Sequence, residues 1–198
     1  MANRASLRAI LPAEPGWLKQ VHGKQVVDVA KVCGGAMPEA DASFSRAVAE
    51  VCVVMTADCL PVLFCDRDGS VVAAAHAGWR GLADGVLEAT IAAMAVSPDK
   101  LLAWLGPAIG PQHFEVGGEV RQTFIDRDGS AAAAFSAVSG NKWLADLPLL
   151  ARQRLESCGL TSIFFSDACT YRDPARYFSY RRDGVTGRMA SLIWLEAK

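Results

Sequence analysis

Three short apolar runs, at 50–56, 60–65 and 71–75, follow one another with only a few polar or turn-forming residues between them. Parallel neighbours need a crossover of about a dozen residues or more, so links this short force antiparallel pairing into the sheet. V-C-V-V-M in the first run reads as a buried strand, bounded by the turn-prone Thr56-Ala57-Asp58. The second run closes on the charged turn Asp66-Arg67-Asp68-Gly69, and the third ends at His76.

The remaining chain supplies helices and further strands. Leu82, Val86, Leu87, Ile91 and Met94 recur at three- and four-residue steps, which predicts a helix over 82–95 that Ser97-Pro98 stops. Helices are also predicted over 118–125 and 144–157. Strands are predicted over 17–22 and 25–29, parted by a Gly23-Lys24 turn, and over 101–105, 163–165, 177–180 and 188–195. Between 33 and 42 the chain reads as a Gly-, Pro- and Ala-rich loop, and the prolines and glycines of 106–111 forbid regular structure. Interleaved helices and strands with several short links give a layered α+β domain, a mixed β-sheet and helix sandwich.

At 198 residues, 52% of them hydrophobic, the chain suits one domain able to bury its own core. A formal net charge of −1 gives no reason to expect a nucleic-acid or membrane partner, which points to a small ligand. No uncharged apolar run reaches the roughly 18–20 residues of a membrane span, and the start lacks a signal-peptide stretch, so the expected location is the cytoplasm. Cys33, Cys52, Cys59, Cys65, Cys158 and Cys169 form no C-x-x-C pair and read as reduced thiols.

Chemistry concentrates in three distant blocks: His22 in Q-V-H-G, Cys59 in T-A-D-C-L-P-V and His76 in A-A-A-H-A-G-W-R-G. Two imidazoles and one thiolate are the mixed set that zinc or copper prefers, and three ligands leave a position open for water or substrate. A lone histidine or cysteine is ordinary, yet all three fall at or just beyond predicted strand ends, where a rigid sheet presents reactive groups. Asp58 beside Cys59 would weaken a free thiol as a nucleophile but does little harm to a metal-bound thiolate, and it is the candidate to accept or shuttle a proton. The third histidine, His113, reads as a loop residue.

Trp79 and Arg80, on a glycine-flanked turn, suit either a packing corner or a planar base and an anion. Arg172, Arg176, Arg181, Arg182 and Arg188 crowd among Tyr171, Tyr177, Phe178 and Tyr180 near the end of the chain. They form either a solvated edge or, if the segment folds toward the metal, an anion site.

The blocks K-Q-V-H-G, V-M-T-A-D-C-L-P-V-L, A-A-A-H-A-G-W-R-G, L-G-P-A-I-G-P-x-x-F-E-V-G-x-E-V, D-L-P-x-L-A-R-Q-R-L and F-S-Y-R-R-D-x-x-T-G-R resemble, in order, the YfiH/LACC-type purine nucleoside phosphorylases, once called polyphenol oxidases or multicopper laccase-like proteins. The resemblance implies cleavage of adenosine, inosine and methylthioadenosine by phosphate to base and ribose 1-phosphate, together with adenosine deaminase activity. It implies a metal held by His22, Cys59 and His76, and a layered α+β fold shared with toxin domains that use a Cys/His deamidation site. Members of that family usually carry S-T-R-x-G-G-x-S and N-L-G-x-H-x-G-D blocks ahead of the stretch that begins here at Asn3.

Deamination follows from a metal lowering the pKa of bound water from 15.7 toward about 7, with attack at C6 of the purine and Asp58 carrying the proton. Phosphorolysis needs an anion pocket, for which Arg80, Arg181 and Arg182 are the candidates, with Trp79 against the substrate. Three other readings stay open: a copper redox centre with Met55 as a weak axial ligand, a metal-free hydrolase using Cys59 with His76 as base, and a binding module whose metal is structural.

Overall fold

The computed structural model describes residues 2–32 and 37–197. A short helix α1 (Ala2–Leu7) precedes strands β1 (Val26–Asp28), β2 (Ala42–Ser45), β3 (Cys52–Thr56), β4 (Leu60–Asp66) and β5 (Val72–Ala77). Helices α2 (Trp79–Asp84) and α3 (Val86–Met94), strands β6 (Leu101–Leu105) and β7 (Glu115–Gly117), and helix α4 (Gly118–Arg127) follow. The chain ends with β8 (Phe135–Ala137), β9 (Lys142–Ala145), α5 (Leu147–Ser157), β10 (Ser162–Phe165), α6 (Tyr180–Asp183) and β11 (Met189–Ile193).

Six strands make the central sheet in the order β1-β2-β5-β4-β6-β10. Its inner pairs are antiparallel, β4–β5 as its short link requires, while β1–β2 and β6–β10 are parallel. The β4–β5 hairpin is fixed by Asp66, whose carboxylate accepts from the Ser70 and Val71 backbone N–H groups and from the Ser70 hydroxyl, while Gly69 adopts φ 66°.

Strand β3 is the exception to the hairpin logic. It leaves the central sheet and pairs with β11 as a two-stranded ribbon. Cys52 and Val54 of that ribbon pack on Val72 and Ala74 of β5, whereas Ala73 and Ala75 belong to the cluster that includes Leu87, Met94, Leu150 and Leu155 of the helices. Strand alternation thus gives β5 two buried faces, ribbon on one side and helices on the other. Fully buried side chains such as Phe64, Leu87 and Leu155 each contribute roughly 1.5–3 kcal/mol. This is the layered α+β arrangement expected from the sequence.

Several boundaries differ from expectation. Residues 17–22 form no strand; Gly16 and Lys19 make single bridges to Cys52 and Glu39. The 82–95 helix is two helices, because Gly85 at φ 100° ends α2 and its N–H bonds Gly81 and Leu82 carbonyls. At 144–157 the strand β9 comes first, and Asp146 caps α5 by accepting from Leu149 N. Residues 177–180 are not a strand either; Ser179 caps α6 through Arg182 N. Strand β2 falls just past the anticipated loop, and the antiparallel sheet β7-β9-β8 had no clear sequence pattern. Cys33 lies outside the described residues, and the five described cysteines are free thiols.

Candidate metal centre

The corner where the chain passes from ribbon to central sheet carries Cys59. Residues 57–59 make that crossing, with Asp58 in the left-handed region at φ 90°. Such a conformation is costly for a non-glycine residue and persists only where neighbours fix it. Here both Asp58 oxygens are engaged, Oδ1 by the Thr170 hydroxyl at 2.6 Å and Oδ2 by Arg181 N at 2.6 Å.

His76 stands in the same strand phase as Val72 and Ala74, so its ring faces the ribbon side, where it meets Cys59 and His22. One ligand atom from each of His22, Cys59 and His76 lies within 4.8 Å of the others, and Cys59 Sγ is 3.8 Å from His22 Nε2. Donors bound tetrahedrally at zinc distances sit roughly 3.3–3.6 Å apart, so the Cys59–His22 pair is close to that spacing and the group as a whole must draw together to share one ion. His76 is buried, Cys59 half-buried and His22 exposed, which leaves one side of the group open to solvent.

The residue that organises this group is Asp41, immediately before β2 and fully buried. Its Oδ1 takes His76 Nδ1 at 2.8 Å and His22 N at 2.9 Å, and its Oδ2 takes Gly23 N at 2.7 Å and Val21 N at 3.1 Å. One carboxylate therefore aims the His76 ring, leaving Nε2 for a ligand, and pins the loop that carries His22 at φ 61°. Burial alone would raise the Asp41 carboxyl; His76 and the Gly23 and Val21 N–H groups outweigh it and hold it below the usual range. Burial would likewise raise the Cys59 thiol, but the His22 and His76 imidazoles bring it down to about 6. For His76 burial works downward, and Asp41 and Cys59 together lift the imidazole to about 9.

Two glycines of H-A-G-W-R-G make room for this assembly. A Cβ on Gly78 would stand 2.8 Å from His22 Cδ2 and 3.1 Å from Cys59 Sγ, and one on Gly81 would stand 2.6 Å from the Gly23 carbonyl oxygen. The His22 loop packs directly on this backbone.

Two hollows adjoin at the group. The larger, ≈ 500 Å³, is walled by Gln20, Met55, Thr56, His76 and Arg188, and the smaller, ≈ 220 Å³, by Asp58, Trp79, Arg80, Phe114 and Arg181. His22, Ala57, Cys59 and Tyr180 border both.

Residues 1–196 match the family model described as multi-copper polyphenol oxidoreductase laccase. The chain belongs to this family. It is 59% identical over 187 residues to Escherichia coli purine nucleoside phosphorylase YfiH, covering 93% of this chain and 75% of that protein. Against Pseudomonas aeruginosa purine nucleoside phosphorylase PA4543 it is 51% identical over 195 residues, covering 98% and 79%. The solved structure of Neisseria meningitidis protein NMB0706 superposes with a TM-score of 0.94 at 50% identity, covering 98% of this chain and 80% of that one.

The chain has three histidines, two of which, His22 and His76, belong to the donor group. The third, His113, is in a loop and stacks on Tyr171 at 4.5 Å between ring centroids. Of the other sequence candidates, Trp79, Arg80, Arg181 and Asp58 reach the smaller hollow. Arg182, also expected in the anion pocket, borders neither hollow. Its guanidinium donates to the Thr170, Tyr171 and Tyr177 carbonyls and to the Asp183 carboxylate, tying down the chain end. Met55, the candidate axial copper ligand, lines the larger hollow, and its sulfur accepts from Arg4 Nη2 at 3.4 Å.

Sequence reasoning missed Asp41, and its reading of Asp58 as the proton carrier met a carboxylate already bonded at both oxygens. Tyr180 and Arg188 emerged only as members of a basic, aromatic crowd, although both fold onto the centre.

Proposed function

We propose that this chain is a metal-dependent purine nucleoside phosphorylase, cleaving adenosine, inosine and methylthioadenosine with phosphate to base and ribose 1-phosphate. The observation that carries the reading is the meeting of His22, Cys59 and His76 within 4.8 Å, with Asp41 behind His76. Two relatives named purine nucleoside phosphorylase, 59% and 51% identical, support it. The donor set suits zinc, with copper the alternative. When bound, such an ion acts as a Lewis acid and lowers the pKa of a coordinated water toward about 7.

The chain's own groups prepare the site. Asp41 fixes the His76 tautomer, and the two imidazoles keep Cys59 as the thiolate that a metal requires. Adenosine deamination belongs to the same proposal, supported by the resemblance and by the open side of the donor group. A cytoplasmic location is supported by five free cysteines. No described helix is long and apolar enough to cross a membrane.

Incubation of the metal-analysed protein with adenosine, with and without phosphate, tests the reading. Adenine and ribose 1-phosphate formed only with phosphate support it, inosine supports the deaminase part, and no turnover overturns both.

One observation favours a second reading, a metal-free cysteine hydrolase. Cys59, His76 and Asp41 stand in the order of nucleophile, base and orienting carboxylate. Stoichiometric alkylation of Cys59 in metal-replete protein would favour it, since a ligated thiolate is protected.

A further inference from the structure

Phosphorolysis needs phosphate and purine on different sides of the ribose. A phosphate oxygen bonds to C1′ as the C1′–N9 bond breaks; the electron pair leaves with the purine, which takes up the proton given by dihydrogen phosphate. The attacking oxygen enters away from the departing base, so a site for this reaction needs two compartments that meet at the sugar.

We infer that the smaller hollow is the phosphate site, held by Arg80 with Arg181, and that the larger hollow takes the nucleoside. This rests on the phosphorylase reading. Size is the first argument. Sites for organic ligands usually measure about 300–1,000 Å³. The larger hollow, ≈ 500 Å³, falls in that range, and the smaller, ≈ 220 Å³, falls below it but accommodates an inorganic anion.

Charge is the second. Arg80 is exposed, its guanidinium lies over the Trp79 ring at 4.5 Å, and it hydrogen-bonds no other group among the described residues, so its donors are free. Arg181 uses Nη1 on the Glu115 carbonyl at 2.7 Å and sits 5.4 Å from the Phe114 ring centre, leaving its other donors. Asp58 is the one carboxylate lining this hollow, and both its oxygens already have donors, one of them Arg181 N. Apolar walls at Ile109, Phe114 and Leu147 lower the local dielectric and strengthen the attraction of two guanidiniums for an anion. The larger hollow has one arginine, Arg188, whose Nη1 is bonded to the Thr186 and Gly187 carbonyls.

The test compares Arg80→Met with Arg188→Met, both at exposed positions, in the metal-loaded protein. Steady-state rates are measured with phosphate and adenosine varied independently, and inorganic phosphate binding is measured by calorimetry. Arg80→Met is expected to raise the phosphate KM and the phosphate Kd about 10-fold or more, with the adenosine KM within about twofold. Arg188→Met is expected to leave the phosphate Kd within about twofold. Unchanged phosphate binding in Arg80→Met, weakened phosphate binding in Arg188→Met, or no phosphate binding by the unmodified protein overturns the assignment. Phosphate binding that depends on Arg80 without any turnover would keep the anion site and sink the phosphorylase reading.

Discussion

Asp41 Oδ1 lies 2.8 Å from His76 Nδ1 in a fully buried setting, and the same carboxylate holds the backbone of the His22 loop. Breaking one partner out of a buried charged pair costs about 3–5 kcal/mol. Loss of an outer hydrogen-bond partner of a metal-bound histidine lowers metal affinity about 10–100-fold. Asp41→Asn should therefore lower the denaturant midpoint and weaken zinc binding by that factor. Equilibrium unfolding and competitive chelator titration check the two effects separately.

Gly78 and Gly81 permit the close approach of the His22 loop. Gly81→Ala puts a methyl 2.6 Å from a backbone oxygen that has no rotamer with which to retreat, so it should destabilise the fold by about 1–3 kcal/mol. Gly78→Ala presses on the His22 ring and on Cys59 Sγ, and it should weaken metal binding more than stability. Thermal unfolding and metal titration of both variants distinguish these outcomes.

In metal-free protein the Cys59 thiolate faces the His76 imidazolium. His76, raised to about 9, contributes stability fully below its ordinary value near 6.5 and loses it as pH rises through about 9. Cys59, depressed to about 6, contributes fully above its ordinary 9.0 and loses it as pH falls through about 6. The pair is intact between those limits. The thermal midpoint of metal-stripped protein should thus fall on both the acid and the alkaline side, and alkylation of Cys59 should rise through about pH 6. Iodoacetamide kinetics across pH, with mass-spectrometric assignment of the labelled cysteine, check this.

Arg182 binds its own chain rather than either hollow. Arg182→Ala should lower the thermal midpoint by several degrees, because the carbonyls of Thr170, Tyr171 and Tyr177 lose their donor. The phosphate KM of the folded fraction should stay within about twofold. Kinetics at reduced temperature alongside a melting curve test both statements.

The three donors were legible because each stands in a block of turn-forming residues after an apolar run. Asp41 was not, because E-A-D-A-S offers two acids, Glu39 and Asp41, among small residues, and nothing local says which carboxylate is buried beneath a loop preceding it in sequence. Asp58 drew attention by adjacency to Cys59, yet adjacent residues on a crossing turn point apart, and its oxygens went to Thr170 and Arg181. Short links correctly predicted the β4–β5 hairpin, but link length does not say whether β3 stays in the same sheet. The apolar spacing of 82–95 was read correctly as helical, while Gly85 carried the break within it. The aromatic stretch 177–180 had strand composition, and Ser179 as a helix cap overrode it.

X-ray absorption at the metal edge, on protein loaded with one equivalent of zinc, tests the central assignment most directly. The account predicts one sulfur neighbour at about 2.3 Å and imidazole nitrogens at about 2.0–2.1 Å, with the sulfur contribution lost in Cys59→Ser. A shell of oxygens alone, or a sulfur contribution that survives Cys59→Ser, would contradict it.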